Sequence, residues 1–437
     1  MYLDNPFFHR GAIRRAEEFH GRTSDIAQIM GLLRNGQSVS VVGPRRIGKS
    51  SLLLHLTRQQ TRQHYDLDAP KSIFGLVDCQ ELGGSPPEEV YEALLTALVD
   101  AAAMTGVELD VGDRPGTYRA LDRTLNRLQQ SGSLSVVLLD EFELLAANAR
   151  LTPYFFARLR GLTTKYGLAY LTASQRPLFA ITADEQILSS PFFNIFVSLS
   201  LGLFEQAEAR ALLRQRLEGT PVSFSEELED HLIRLAGPHP FFLHIGGYHA
   251  FQTLLDAGEI DLNQDAESLD AAIEIEADAH LSYQWHNLSA EEQYCLAITD
   301  GPIETLRMLE QQCLLRSQNG GYDYASVLLR RYVRRQEVQG LIQAGPFVID
   351  RQRHEVHARG RPLELTTSQF DLLVRLSQHA GQVVTGAQLE AAVWGDALVD
   401  DPDRLKTLIK RLRRAIEPYS SWIVSERGVG YALREPS

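Results

Sequence analysis

Gly43-Pro44-Arg45-Arg46-Ile47-Gly48-Lys49-Ser50 decides the fold of this chain. The pattern G-x-x-x-x-G-K-[ST] lets a glycine-bearing loop curl until its N–H groups converge on phosphate oxygens, at the positive end of a following helix. Its neighbours have the required character. Ser38–Val42 is a short β-branched run leading into the loop, and Ser51–Gln60 reads as a helix. Lys49 is placed to reach β- and γ-phosphates, and the Ser50 hydroxyl to ligate Mg²⁺. Gly43, Pro44, Arg45, Arg46, Ile47, Gly48, Lys49, Ser50 and Ser51 are therefore the expected nucleotide-binding residues, with ATP or ADP and Mg²⁺ as cofactors.

Working outward, residues 19–36 look helical and stop at Asn35-Gly36. Three more apolar runs follow the loop, Ile73–Val77, Leu134–Leu139 and Leu168–Thr172, with helical stretches between them. Strands alternating with helices predict a parallel sheet covered by helices, the α/β core of a P-loop NTPase. Val136-Val137-Leu138-Leu139-Asp140-Glu141 ends an apolar strand in two acids. Asp140 can hold the Mg²⁺ shell with Ser50, and Glu141 can polarise a water for attack on the γ-phosphate. Thr172-Ala173-Ser174-Gln175-Arg176-Pro177 follows the fourth run, where open α/β sheets place their ligands. Ser174 is the expected γ-phosphate contact there. Arg176 is the expected catalytic cation, because a guanidinium binds phosphate oxygens in fork geometry.

The 437 residues, 44% hydrophobic and 23% charged, fit two to four soluble domains and exclude a disordered or collagen-like chain. No apolar run approaches the roughly eighteen residues of a membrane span. The first thirty residues have no continuous apolar core, which reads against a signal peptide and predicts a cytoplasmic protein without a membrane partner. Cys79, Cys295 and Cys313 are too scattered for a disulfide framework or a zinc site. His239 and His244 flank an apolar run and read as packing residues; no H-E-x-x-H spacing or G-x-S-x-G elbow occurs.

Punctuation predicts six segments: an opening segment 1–18, the ATPase core 19–200, a helical lid 201–280 broken at Gly237-Pro238-His239-Pro240, a first winged-helix-like domain 281–336, a linker 337–345, and a last domain 346–437. A hairpin is expected around Asn319-Gly320-Gly321. Asn5-Pro6-Phe7-Phe8 in the opening segment is expected to dock on the core.

The net charge of −13 argues against a nucleic-acid binder until its distribution is considered. Residues 345–437 hold thirteen Lys/Arg and twelve Asp/Glu, so the first 344 residues carry −14. Within the last domain, residues 404–416 contain six basic residues and no acid. Leu405, Leu408, Ile409, Leu412 and Ile416 recur at helical spacing, so that stripe packs inward and the cations take the other faces. Such a helix can enter a major groove. Asp400-Asp401-Pro402-Asp403 just before it suits an N-terminal cap.

Two resemblances follow from these residues. Phe19-His20-Gly21-Arg22, GPRRIGKSS, LLDEFE and AGPHPFF together look like the STAND branch of AAA+-like ATPases, over roughly residues 5–335. The resemblance implies that His20, Gly21 and Arg22 line an adenine pocket. It implies also that Gly237 with Pro238 or Pro240 touches the base from the lid, with the register open and Pro240 preferred. Residues 346–437 resemble the OmpR/PhoB-type winged-helix DNA-binding domain, through PFVIDRQRHEVHARGRPLELTTSQFDLLVRL, AGQVVTGAQLEAAVWG, the basic helix and SERGVGYAL. That resemblance implies DNA contacts by Arg404, Lys406, Thr407, Lys410 and Arg411, phosphate contacts by Arg413 and Arg414, and a wing carrying Arg427. Trp394 and Tyr431 take core roles. A receiver domain, which normally precedes this module, is replaced here by an ATPase.

The combination predicts an ATP-dependent switch that regulates transcription on double-stranded DNA, homo-oligomeric in its ATP state, with slow hydrolysis as the reset and an unidentified protein or small-molecule signal. A DNA-remodelling, transposition- or initiator-type ATPase and a defence or signalling scaffold remain as alternatives.

Overall fold

The computed structural model describes residues 4–7, 11–68, 71–109, 116–181, 191–318, 320–338, 340–351, 353–395 and 403–436. They form two compact units. The first runs to Glu274 and takes in Gln311–Cys313; the second is Ile275–Glu310 with the chain from Leu314 onward. The division falls inside one long helix, Leu262–His286.

The first unit is built on five parallel strands: β1 (Ser38–Val42), β2 (Ser72–Asp78), β3 (Leu134–Asp140), β4 (Ala169–Ser174) and β5 (Phe196–Ser200). Their order is β2-β3-β4-β1-β5. β1 and β4 are buried along their whole length and β3 everywhere but its two ends, as central parallel strands covered on both faces are. Side chains alternate between faces. Val137 and Leu139 enter one apolar cluster with Leu94, Leu125 and Phe156, whereas Val136 and Leu138 enter the other with Met30, Val39 and Leu52. Gly75 on β2 has no room for a side chain: a Cβ there would lie 2.9 Å from the Ala97 carbonyl carbon of the covering helix Pro87–Ala103. β5 is an edge strand with a largely exposed face, and its five residues, Phe-Val-Ser-Leu-Ser, carry too short and too polar a run to be seen in the sequence.

This order brings the C-terminal ends of β3, β4 and β1 side by side, at Asp140, Ser174 and Val42. Three lid helices follow, Gln206–Arg216, Glu226–Ala236 and Pro240–Ala257. Gly237 takes φ +65° and ψ 173°, a conformation that only glycine adopts easily, and Pro240 starts the last of these helices where its missing N–H costs nothing.

In the second unit, helices Ala290–Ile298 and Ile303–Gln311 precede a hairpin of β6 (Leu315–Gln318) and β7 (Gly321–Tyr324), then helix Val327–Arg334. Asn319, in the expected hairpin turn, lies outside the described residues. The stretch expected as a linker contains β8 (Leu341–Ala344), which joins β9 (Phe347–Asp350), β10 (Glu355–Ala358) and β11 (Arg361–Leu363) in an antiparallel sheet ordered β11-β10-β9-β8. Polar residues around Leu341 and Ile342 conceal the strand, whose pairing to β9 supplies what its composition does not. Helices Thr367–Gln378, Gly386–Trp394 and Arg404–Ala415 follow, and β12 (Val383–Thr385) joins β13 (Ile423–Glu426) and β14 (Gly430–Leu433) in the order β12-β14-β13. Thr366 with Gln369, and Thr385 with Gln388, form capping boxes that start the first two helices.

Candidate nucleotide site and DNA-facing helix

The phosphate loop leaves β1 at Gly43, where a Cβ would meet the Leu201 carbonyl oxygen at 2.6 Å. Arg46 at φ +67° and Gly48 at φ +104° turn it into helix Lys49–Leu56. The Lys49 ammonium folds back across the loop and donates to the carbonyls of Gly43 (2.8 Å) and Pro44 (3.0 Å). Lys49 is only 5% exposed, and burial pushes its pKa down against the pull of Glu141, Glu143 and Asp140. A desolvated cation at a helix N-terminus is a strong anion receptor.

The Ser50 hydroxyl donates to Asp140, whose own Oδ1 accepts the Glu141 N–H at 3.1 Å. Burial raises the Asp140 pKa. Burial, then the nearby Glu143 charge, raises that of Glu141. Glu141 sits at φ +49°, a left-handed turn that starts the short helix Phe142–Ala146 and ends the strand abruptly. Two hard oxygen donors on adjacent elements, beside a phosphate-loop lysine, fit Mg²⁺, which binds through one or two protein oxygens plus phosphate and water.

Beside the loop lies a cavity of about 240 Å³. Core residues Arg45 to Ser51 and Glu141 line one side, and Phe204, Leu212, Pro240, Phe241 and His244 the other. His20 and Arg22 line it as well. At Gly21, φ +70°, a Cβ would lie 3.1 Å from Glu208 Oε1, which accepts the Arg22 N–H at 2.6 Å. The Arg22 guanidinium lies over the Phe204 ring, 4.6 Å from its centre, and donates to the Ile47 carbonyl at 3.1 Å, so it braces the phosphate loop from behind. Arg46 reaches the Phe241 ring at 5.3 Å. Of the two prolines left open, Pro240 lines the cavity; the Pro238 carbonyl accepts the Phe204 N–H at 2.9 Å.

The polar turn after β4 differs in detail from expectation. The Ser174 hydroxyl donates to the Arg176 carbonyl at 2.8 Å, and Arg176 is exposed and does not line the cavity. Gln175 instead hydrogen-bonds the Glu141 side chain, while its N–H donates to Glu143 Oε1 at 3.1 Å. The sequence of this turn does not say that Gln175 faces inward, and that of the helix Phe142–Ala146 does not say that Glu143 meets it. Gly11, Ala12 and Ile13 of the opening segment also line the cavity. The Ser51 hydroxyl accepts the Ile13 N–H at 3.0 Å and so holds that segment in place. No sequence signal marks these three small or aliphatic residues.

In the last domain, Leu405, Leu408, Ile409, Leu412 and Ile416 are buried together. Lys406, Thr407, Lys410, Arg411 and Arg414 form the exposed face. Arg404 and Arg413 are used differently. Arg404 stacks over Trp394 at 4.5 Å and pairs with Glu390 at 3.5 Å. Arg413 donates from Nε (3.2 Å) and Nη2 (2.5 Å) to the Ile423 carbonyl and ties the helix to β13. Arg427, with Gly428 at φ +75°, is exposed at the tip of the β13–β14 hairpin. Asp403 makes no cap bond and pairs with Lys406 at 3.0 Å; Asp400, Asp401 and Pro402 lie outside the described residues.

A five-stranded parallel sheet with a phosphate loop, strand-end acids and a helical lid defines a P-loop NTPase, here joined to a winged-helix domain of the response-regulator type. The chain belongs to the family described as Novel STAND NTPase 2, matched over residues 26–302. Residues 360–433 match the family described as transcriptional regulatory protein, C terminal. A solved Walker-type ATPase of Pyrococcus abyssi shares the fold at 17% identity and TM-score 0.54, covering 75% of this chain and 99% of that one. The sensory transduction protein RegX3 of Mycolicibacterium smegmatis is 40% identical over 97 residues, 22% of this chain and 42% of RegX3. The DNA-binding domain of CpxR from E. coli is 31% identical, covering 22% of this chain and 98% of that one, at TM-score 0.21. The chain thus spans less than half the length of the curated relatives it matches. Among the described residues no helix is long and apolar enough to cross a membrane.

Proposed function

We propose that this protein is a nucleotide-controlled transcription regulator, in which ATP binding and slow hydrolysis set the assembly or exposure of a DNA-binding winged helix. The observation that carries the reading is a cavity walled by both the core (Lys49, Glu141) and the lid (Pro240, Phe241, His244). A ligand touching both can shift a two-state lid only by its differential affinity for the two states, and the γ-phosphate is the group by which ATP and ADP differ. Lys49 and the loop N–H groups hold phosphate, and Glu141, aligned by Gln175, takes a proton from the attacking water. Ser50 and Asp140 would hold Mg²⁺, which neutralises charge between the β- and γ-phosphates.

On the DNA side, Lys406, Thr407, Lys410, Arg411 and the wing's Arg427 supply groove and phosphate contacts, with Arg414 reaching phosphate one turn on. A single small module gains most when several act together on adjacent half-sites of duplex DNA, which is why an ATP-dependent homo-oligomer suits it. Coupling of this kind is reciprocal, so specific DNA raises ATP affinity by the factor that ATP raises DNA affinity. The test is selection from a randomised DNA pool with a non-hydrolysable ATP analogue and, in parallel, with ADP. A motif enriched only with the analogue is the expected result. Equal enrichment in both arms removes the switch, and retention without a motif replaces it with a remodelling ATPase.

A further inference from the structure

Helix Val327–Arg334 and the residue after it carry Arg330, Arg331, Arg334 and Arg335, with no acid from Val327 to Gln336. Leu328, Leu329, Tyr332 and Val333 are its buried stripe, so the arginines take the other faces. Arg335 is engaged by Asp278, to which it donates at 2.7 Å. Arg330 and Arg334, four positions apart, share a face about 6 Å apart along the axis. A third cation comes from the turn between β10 and β11: Arg359, at φ +49°, lies over the Tyr419 ring, 5.7 Å from its centre. The same unit fixes helix and sheet together. The Tyr294 hydroxyl donates to the Asp350 carboxylate, Gln343 Nε2 donates to the Val333 carbonyl at 3.5 Å, and a Cβ on Gly360 would lie 2.9 Å from the Thr299 hydroxyl. Arg334 is exposed as a residue, yet partial desolvation of its guanidinium, then the charge of Arg330, lower its pKa, and Arg359 acts in the same direction. Among the described residues none of these three arginines has a hydrogen bond or an ion pair, in a chain where acids outnumber Lys and Arg by 56 to 43.

We propose that Arg330, Arg334 and Arg359 form a second DNA-contacting surface, apart from the basic helix and wing of the last domain, which holds the phosphate backbone of duplex DNA without reading its sequence. The inference rests on the DNA-binding reading above. Like charges gathered without carboxylates repel one another, and a polyanion laid across them removes that cost. Cations that are exposed and spread over a helix and a turn suit a long polyanion, bound through several weak contacts and the counterions they release. The surface is continuous with an interface already assigned to DNA, since Arg359 belongs to the last domain and Tyr419 follows its basic helix.

Fluorescence anisotropy of a labelled random-sequence duplex tests this, with the full chain and the non-hydrolysable ATP analogue, between roughly 50 and 200 mM salt. Arg330→Ala, Arg334→Ala and Arg359→Ala should each lower the slope of log affinity against log salt by about 1. Arg334→Lys should keep the parental slope, because the slope counts charges. Arg335→Ala should also keep it, since Asp278 holds that guanidinium; an equal loss there would overturn the assignment to these three residues. If one alanine variant fails to fold, the other two decide. Parental slopes in all of them, with Lys410→Ala still lowered, would overturn the second surface and leave the winged helix's DNA contacts standing. Parental slopes, together with a melting temperature that inorganic pyrophosphate raises in the parent and not in Arg334→Ala, would replace DNA at this cluster with a small polyphosphate. Failure of the unaltered chain to bind the duplex overturns the DNA reading and this surface together.

Discussion

Lys49 and Lys406 are the same residue type placed in opposite settings. Lys49 is 5% exposed, folded onto two carbonyls and faced by three carboxylates. The Lys406 side chain is 73% exposed and pairs with the similarly exposed Asp403 across 3.0 Å. A desolvated cation with fixed partners suits one compact polyanion, because in low dielectric each charge–charge contact is strong and geometry selects the ligand. Exposed cations along a helix suit a long polyanion, whose binding comes from the sum of individually weak contacts and released counterions. The difference teaches that a basic motif must be read with its burial: the phosphate loop buries one lysine, and the basic helix spreads its cations over an exposed face.

The most severe test of that contrast is Lys49→Ala, which should weaken ATP binding by roughly 100-fold or more, since it removes a buried charged donor and leaves facing carboxylates uncompensated. Titration calorimetry with ATP and with ADP measures it; a loss under about threefold would put Lys49 outside the nucleotide site. Glu141→Gln should next reduce hydrolysis by roughly 100- to 10,000-fold with affinity preserved, because it deletes a proton acceptor and keeps the shape. Normal turnover by Glu141→Gln would move the base elsewhere.

On the helix the expected effects are smaller and differ by residue. Lys410→Ala and Arg411→Ala should each reduce the slope of log affinity against log salt by about 1. Arg413→Ala should leave that slope unaltered and lower the melting temperature of the domain, because its guanidinium holds the Ile423 carbonyl. A full unit of slope lost with Arg413 would show that it meets phosphate in the complex.

How far each region could be read in advance follows the same contrast. The phosphate loop, the strand-end acids and the buried stripe of the basic helix are local patterns, and residues 38–50, 134–141 and 405–416 state them outright. Residues whose roles depend on a distant partner are invisible to such reading. Ile13 matters because Ser51 lies beside it, Gln175 because Glu141 and Glu143 flank it, and β8 because β9 pairs with it. Arg404 and Arg413 illustrate the converse. Their charge marked them for DNA, and nothing in the basic helix itself says that Arg404 also stacks on Trp394 or that Arg413 also holds the Ile423 carbonyl.

The acids near Lys49 give a pH test. The proposed role of Glu141 as base requires it ionised, and its pKa is raised, so the ionised fraction disappears at a higher pH than for an ordinary glutamate, about 4.3. The rate should therefore fall as pH drops through that raised value, placing the acid limb of kcat above the usual carboxylate range. Glu143→Gln removes a neighbouring negative charge and should shift this limb to lower pH. An unmoved limb would mean that burial alone raises Glu141.

Arg176 is expected to give the smallest effect of all. Its guanidinium is exposed, its place in the turn is fixed through its carbonyl rather than its side chain, and it lies off the cavity. Arg176→Ala should keep hydrolysis within about twofold of the parent, as expected for a surface substitution. Gln175→Ala should cost roughly tenfold or more by freeing Glu141. Single-turnover ATPase rates of the two variants, measured at saturating nucleotide, separate them. The reverse order, with Arg176→Ala the slower enzyme, requires the turn after β4 to rotate when nucleotide binds and bring the guanidinium to the γ-phosphate. That outcome would transfer the burden from a buried, preset glutamine to an exposed cation recruited by its ligand, and so give the phosphate site a share of the logic that governs the DNA-facing helix.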